Sequence, residues 1–215
     1  MDAPRIFEDR AEAGSRLASL LQRRTLAAPC VVLALPRGGL PVALPVARRL
    51  GARLDVMTVR KIGLPSDPER AVGAVAPGIV YRDEATEFLS GLDDATFQQL
   101  ADIAEAQRRR REQLFRTQRP AADLHHATVI LVDDGIATGA TMIAAVRAAR
   151  AAGASYIVAA APVASIEAVR RLQGEVAELV VLQVPTAFNS VAEWYGDFRQ
   201  VEDEEALALY AQEPG

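Results

Sequence analysis

The chain has 215 residues, 50% of them hydrophobic and 24% charged, with a formal net charge of -4. That is enough for one domain with a full apolar core, and the acidic balance argues against a protein that grips nucleic acid through a broad basic face. One cysteine, Cys30, excludes a disulfide framework and a cysteine-built metal site. No apolar run approaches the roughly 20 residues of a membrane span, and the N-terminus carries acids without an apolar stretch, so no signal peptide and no membrane contact are expected and the expected location is the cytoplasm.

In chain order, residues 30–35 (CVVLAL) form a continuous apolar run closed by Pro36 and Gly39. Such a run predicts a strand buried on both faces, as in a parallel sheet. Residues 40–50 have helical spacing and end at Gly51, a favourable residue just past a helix. A second strand is predicted over 54–59, a loop over 61–68, and two short strands over 71–82 that turn at Pro77-Gly78. Residues 83–116 are polar and predict one or two helices, the second capped by Asp93 or Asp94. A third strand over 128–132 (TVILV) leads to an alanine-rich helix over 138–152 closed by Gly153. A strand over 156–161, a helix over 165–172, a fifth strand over 179–184 and an amphipathic tail helix over 202–212 complete the chain.

Strands and helices alternate from 30 to 184, the pattern of an α/β fold with a mostly parallel five-stranded sheet flanked by helices. Ligands of such folds sit at the carboxyl ends of the strands. The loops after Leu35, Val59, Val132, Ala161 and Val184 are therefore the expected site.

Residues 129–141 read VILVDDGIATGAT. The strand delivers Asp133 and Asp134 to the sheet edge. Turn residues Gly135, Ala137 and Gly139 keep side chains out of the way so that backbone N–H groups of the stretch, which also includes Ile136 and Ala140, can approach an anion, and Thr138 and Thr141 add hydroxyl donors. The following helix points its N-terminus at the same place, which favours a phosphate. Two carboxylates would repel that phosphate, and serve better as acceptors for vicinal sugar hydroxyls or, through water, for a magnesium ion. P-loop and dinucleotide glycine motifs are absent.

Supporting chemistry lies elsewhere. Gly38 and Gly39 can present N–H groups after the first strand, and Arg37 offers a two-pronged fork to phosphate oxygens. Of the 24 basic residues only Lys61 is a lysine, and it follows the second strand. Residues 108–111 are four arginines in a row, of which at most two can face one side of a helix. Trp194 and Tyr195, with Phe188 and Phe198, follow the last strand; they could stack on a base, or equally anchor the tail or a dimer contact. His125 and His126 suggest a surface turn.

The segment 129–141 resembles the diphosphoribose-binding motif of type I phosphoribosyltransferases. FEDR, LALPRGG, VRKIG, the stretch over 68–75 and EWYGDF extend the resemblance over nearly the whole chain, to a bacterial group of stand-alone members. The resemblance implies one phosphoribosyltransferase domain over 1–215, with a mobile lid over 83–119 and a small C-terminal hood over 185–200. It implies a donor, 5-phosphoribosyl 1-diphosphate, held by 135–141 at its phosphate and by Asp133 and Asp134 at its ribose. The diphosphate would lie on Arg37, Gly38, Gly39 and Lys61, with Mg2+ as cofactor. It further implies a small-molecule nitrogen acceptor, no nucleic-acid partner and a homodimer. A non-catalytic binder of the same ligand and a hydrolase or phosphorylase acting on a related ribose phosphate are the other readings.

Overall fold

A computed structural model describes residues 6–64 and 66–212. Pro65, within the loop expected over 61–68, and the first residues of the chain lie outside that range. Five strands, β1 (Cys30–Ala34), β2 (Arg53–Val56), β6 (Thr128–Val132), β7 (Tyr156–Val163) and β8 (Glu178–Gln183), form one sheet in the order β2-β1-β6-β7-β8. Every pairing in it is parallel; Val32, for example, stands between Leu54 and Ile130.

The two faces of this sheet explain why its strands read as unbroken apolar runs. Val31, Leu33, Val129 and Leu131 point into one core, which α5 (Ala140–Ala151) and α6 (Ile166–Leu172) close. Val32, Ala34, Ile130 and Val132 point into the other, closed by α1 (Arg10–Leu21), α2 (Gly39–Leu50) and α7 (Asp203–Ala211). In β1 and β6 both side-chain rows are covered, so no polar alternation survives in those stretches of the sequence.

A second sheet of β3 (Arg60–Leu64), β4 (Asp67–Ala76) and β5 (Ile79–Arg82) is antiparallel, in the order β3-β4-β5. The loop expected over 61–68 is thus corrected: its first part is a strand, because Ile62 and Leu64 alternate inward onto Val72, Val75 and Phe97 while the β4 backbone satisfies their peptide groups. The turn at Pro77-Gly78 is as expected, with Gly78 at φ +71°.

The expected lid over 83–119 is two helices, α3 (Glu84–Ser90) and α4 (Asp94–Arg116). Asp93 caps α4 by accepting from the Thr96 N–H at 2.7 Å. Phe97, Ala101 and Ala104 pack onto the small sheet. At the other end Arg116 reaches Asp55 at 2.8 Å, and the same carboxylate accepts from the Tyr210 hydroxyl of α7 at 2.6 Å. α4 is therefore fastened at both ends. The helix α1, which periodicity did not announce, is capped by Asp9 and buries Leu17 and Leu21 against α2. Among the described residues no helix is long and apolar enough to cross a membrane.

Candidate functional site

β1 and β6 are neighbours, so the loops leaving their carboxyl ends meet. Gly38 faces the Asp134 carboxylate so closely that a Cβ there would collide with it, and a Cβ on Gly39 would stand 2.6 Å from the Val132 carbonyl. Only glycine lets the two loops touch. The Gly39 N–H is spent on the Leu35 carbonyl at 3.0 Å, which corrects the expectation that it is free for an anion; those of Arg37 and Gly38 have no protein acceptor among the described residues.

Past the acids, the chain turns into α5. Gly139 caps it at φ +84°, a left-handed conformation that a β-carbon would strain. The N–H groups of Ala137, Thr138 and Gly139 donate to no protein acceptor among the described residues. These are the orphan donors of a helix start, aimed where the helix dipole favours an anion. Ile136 departs from the expectation. Its N–H bonds the Val163 carbonyl at 2.9 Å and its side chain is core, so it fixes the loop rather than offering a donor. Ala140 is likewise buried, and its N–H approaches the Thr138 hydroxyl at 3.5 Å.

Asp134 is held from three sides. Arg10 Nε lies 2.7 Å from its Oδ2, and the Tyr195 hydroxyl donates to its backbone oxygen at 2.5 Å. Its own N–H donates to Asp133 Oδ1 at 2.9 Å. Burial pushes both carboxyls upward from the ordinary range; the Asp134 charge adds to this at Asp133, whereas Arg10 opposes it at Asp134. Burial also raises the Tyr195 hydroxyl, which keeps its proton to donate.

Lys61, Pro36 and Thr141 line one cleft of about 640 Å³, so the sole lysine does open beside the motif. Arg37 is turned toward α7, with Nη1 3.4 Å from Glu202 and 3.5 Å from Asp203. The arginine run divides as its spacing requires. Arg108 is buried and bonded to Glu105, Glu112 and Thr58, Arg109 pairs with Glu105, and Arg110 and Arg111 face a cleft.

Trp194 and Tyr195 are corrected as base stackers. They are 6% and 3% exposed and packed with Phe7, Ala13 and Val163, which leaves no ring face for a ligand. His125 and His126 lie in an exposed turn, as expected.

Arg10 is the site residue that sequence reasoning missed. One local signal marks it: as the first residue of α1 it puts a cation where a helix start disfavours one. A broken local rule of that kind is itself a pointer to a site.

Residues 8–193 match the family model described as a phosphoribosyl transferase domain. The chain belongs to this family. Relatives from two strains of Mycobacterium tuberculosis, each named "Putative phosphoribosyl transferase", are 40% identical over 206 residues, 95% of this chain and 46% of theirs. The chain thus spans about half the length of the curated relatives it matches. A crystal structure of a Thermus thermophilus protein is 43% identical with a TM-score of 0.81, covering 97% of this chain and 99% of that one. An Aquifex aeolicus protein, 14% identical with a TM-score of 0.52 over 81% of this chain and 74% of its own, shares the fold alone. The parallel sheet with its flanking helices is the type I phosphoribosyltransferase fold.

A magnesium ion would find two carboxylates here, Asp133 and Asp134, one of them committed to Arg10. Among the described residues no third histidine, cysteine or acid joins them into a protein-only cage. That donor set fits an ion that keeps waters and arrives with substrate phosphates, the usual magnesium habit.

Proposed function

We propose that this phosphoribosyl transferase domain moves a 5-phosphoribosyl group from 5-phosphoribosyl 1-diphosphate to a nitrogen acceptor, a nucleobase or similar heterocycle, with release of diphosphate. The observation that carries this reading is the junction of two loops: the Asp133-Asp134 pair against Gly38 and Gly39, beside the unpaired N–H groups of Ala137, Thr138 and Gly139.

The roles follow from chemistry. The N–H groups of Ala137, Thr138 and Gly139, with the Thr138 and Thr141 hydroxyls, hold the 5-phosphate. Asp133 and Asp134 accept hydrogen bonds from the ribose hydroxyls, and their negative charge favours the positive charge that grows at the anomeric carbon. The Arg37 and Gly38 N–H groups, the Arg37 guanidinium and the Lys61 ammonium receive the diphosphate. Asp133 and Asp134 would hold magnesium through water, and the ion supplies charge neutralisation on the phosphates. The carbon–oxygen bond breaks with its electron pair leaving on diphosphate, the nitrogen lone pair forms the new bond, and the nitrogen proton passes to solvent or to the departing diphosphate. A homodimer and a cytoplasmic location belong to the same proposal.

Calorimetric titration with the donor and magnesium tests the site. Saturable binding by the wild type and its loss in Asp133→Asn/Asp134→Asn are expected; equal binding by the variant sinks the reading. Screening nucleobases for diphosphate release tests the transfer, and binding without any release would assign the chain to the non-catalytic binders instead.

A further inference from the structure

A hollow of about 420 Å³ lies beside the β2 edge of the main sheet and shares no lining residue with the cleft that holds Lys61 and Thr141. Its size falls within the roughly 300–1,000 Å³ of small-ligand pockets. Leu33 of β1, Met57 after β2 and Leu124 give it an apolar, buried lining. Glu112 and Arg116, one turn apart on α4, supply one wall. Ala148 and Ala151 at the end of α5 supply another. α5 packs mainly on β6 and β7, and its alanine end leaves open the volume that a larger side chain would fill. The exposed residues Asp123 and Ala151 mark the mouth.

The lining is apolar but the rim carries surplus negative charge. Asp55 and Arg116 offer none of it, because they are paired with each other, and Arg116 also donates to the Val56 carbonyl at 3.0 Å. Glu112 Oε2 accepts from Arg108 at 2.8 Å, and Arg108 divides its charge between Glu112 and Glu105. Asp123 Oδ1 accepts only the backbone N–H of His125, at 2.9 Å, and Asp123 has no cationic partner among the described residues. One oxygen of each of these two carboxylates is therefore left without a protein donor among the described residues. Charge-assisted bonds to such oxygens are about twice as strong as neutral ones. An ammonium carries three donors and no acceptor, which suits two half-used carboxylates, whereas an anion would be repelled. Leu33, Met57 and Leu124 reward an apolar body, and the unbranched methionine adapts to its shape.

We propose that this hollow is a binding site for a small organic cation, a primary ammonium on a compact apolar body. The body lies on Leu33, Met57 and Leu124, and the ammonium is held at Glu112 and Asp123. The site stands whether or not the chain transfers phosphoribosyl groups, and its occupant does not compete with the donor.

The test is a titration of the full chain with three probes of one shape, 2-phenylethylamine, the uncharged 2-phenylethanol and the anion phenylacetate, followed by backbone amide NMR. Saturable shifts at Met57, Leu124, Ala148 and Ala151 are expected with the amine, at about tenfold higher concentration with the alcohol, and not with the anion. Asp123→Asn keeps an acceptor for the His125 N–H but drops the charge. It should weaken the amine about three- to tenfold and leave the alcohol unchanged. Ala151→Leu puts a good helix former at an exposed helix end and fills the hollow, so it should abolish both. Equal affinity for amine and alcohol, no saturable shift with either, or undiminished amine binding in Ala151→Leu overturns the site. Shifts at 137–139 on adding the phosphoribosyl donor with magnesium should be the same with and without the amine; their absence counts against the transfer reading alone and leaves the cation site standing.

Discussion

Arg10 Nε lies 2.7 Å from Asp134 Oδ2 although 124 residues separate them. The guanidinium also stacks 3.8 Å above the Phe198 ring and donates to the Arg199 carbonyl at 2.9 Å. Through Arg10, α1 and residues 198–199 thus meet beside the Asp134 carboxylate. Arg10→Gln removes the charge that opposes the upward push of burial on Asp134. The Asp134 carboxyl should then titrate higher, and the acidic limb of the pH–activity profile should move to higher pH. A fall of about ten- to a hundredfold in kcat/KM is expected for loss of a buried charge partner at a site. Arg10→Lys should recover part of it. A variant that loses thermal stability but keeps the wild-type acidic limb would show that Arg10 is only structural.

Asp133 should behave in the opposite sense from an ordinary stabilising acid. Burial and the Asp134 charge raise its carboxyl above the ordinary 3.8. Folding therefore favours the protonated form, a contribution complete below that ordinary value and lost as pH rises through the raised one. Asp133→Asn cannot ionise. It should match the wild type in stability at acid pH and exceed it increasingly toward neutrality, read as a higher Tm. It should also lose donor binding. Thermal melts of both proteins from pH 4 to 8 check this; a gap that does not widen with pH refutes it.

Sequence patterning reached most of this architecture for a physical reason. β1 and β6 are covered on both faces, so their apolar runs are unbroken and legible. The segment 133–141 was legible because two acids, small residues and a helix start follow one another within a few positions of the strand end. What stayed hidden depends on partners distant in the chain. Arg37 reads as a free fork until α7 brings Glu202 and Asp203 beside it. Trp194 and Tyr195 read as open aromatics until Phe7 and Ala13 cover them. β3 read as a loop because Gly63 and Pro65 outweigh a two-residue alternation that only the small sheet rewards.

Asp203 competes for Arg37, so its removal should help an anion. Asp203→Asn keeps the side-chain shape and drops the charge, leaving Arg37 and Arg111 without it. Exposed pairs of this length are worth about 0–1 kcal/mol. Donor affinity should accordingly rise about two- to fivefold at low salt and converge on the wild type at high salt, as screening shortens the reach of charge. Calorimetry at two ionic strengths decides it; weaker donor binding in Asp203→Asn means that Asp203 itself contacts the donor or its magnesium.

Asp55 fastens three elements, and its loss should be the most damaging of these changes to the fold. It is 1% exposed and accepts from Tyr210 of α7, Arg116 of α4 and the Ala122 N–H, at 2.6, 2.8 and 2.5 Å. Burial alone would raise its carboxyl, but these three donors more than offset that and hold it below 3.8. A lowered value stabilises the fold above the ordinary range and ceases to do so as pH falls through the lowered one. Asp55→Ala strands the Arg116 charge and the Tyr210 hydroxyl together, which costs about 3–5 kcal/mol. Tyr210→Phe removes one hydrogen bond and leaves the ion pair, at about 1 kcal/mol. Urea midpoints at pH 7 should rank the wild type above Tyr210→Phe and both well above Asp55→Ala. An Asp55→Ala midpoint no lower than that of Tyr210→Phe would show that Asp55 does not fasten α4 and α7 to the sheet.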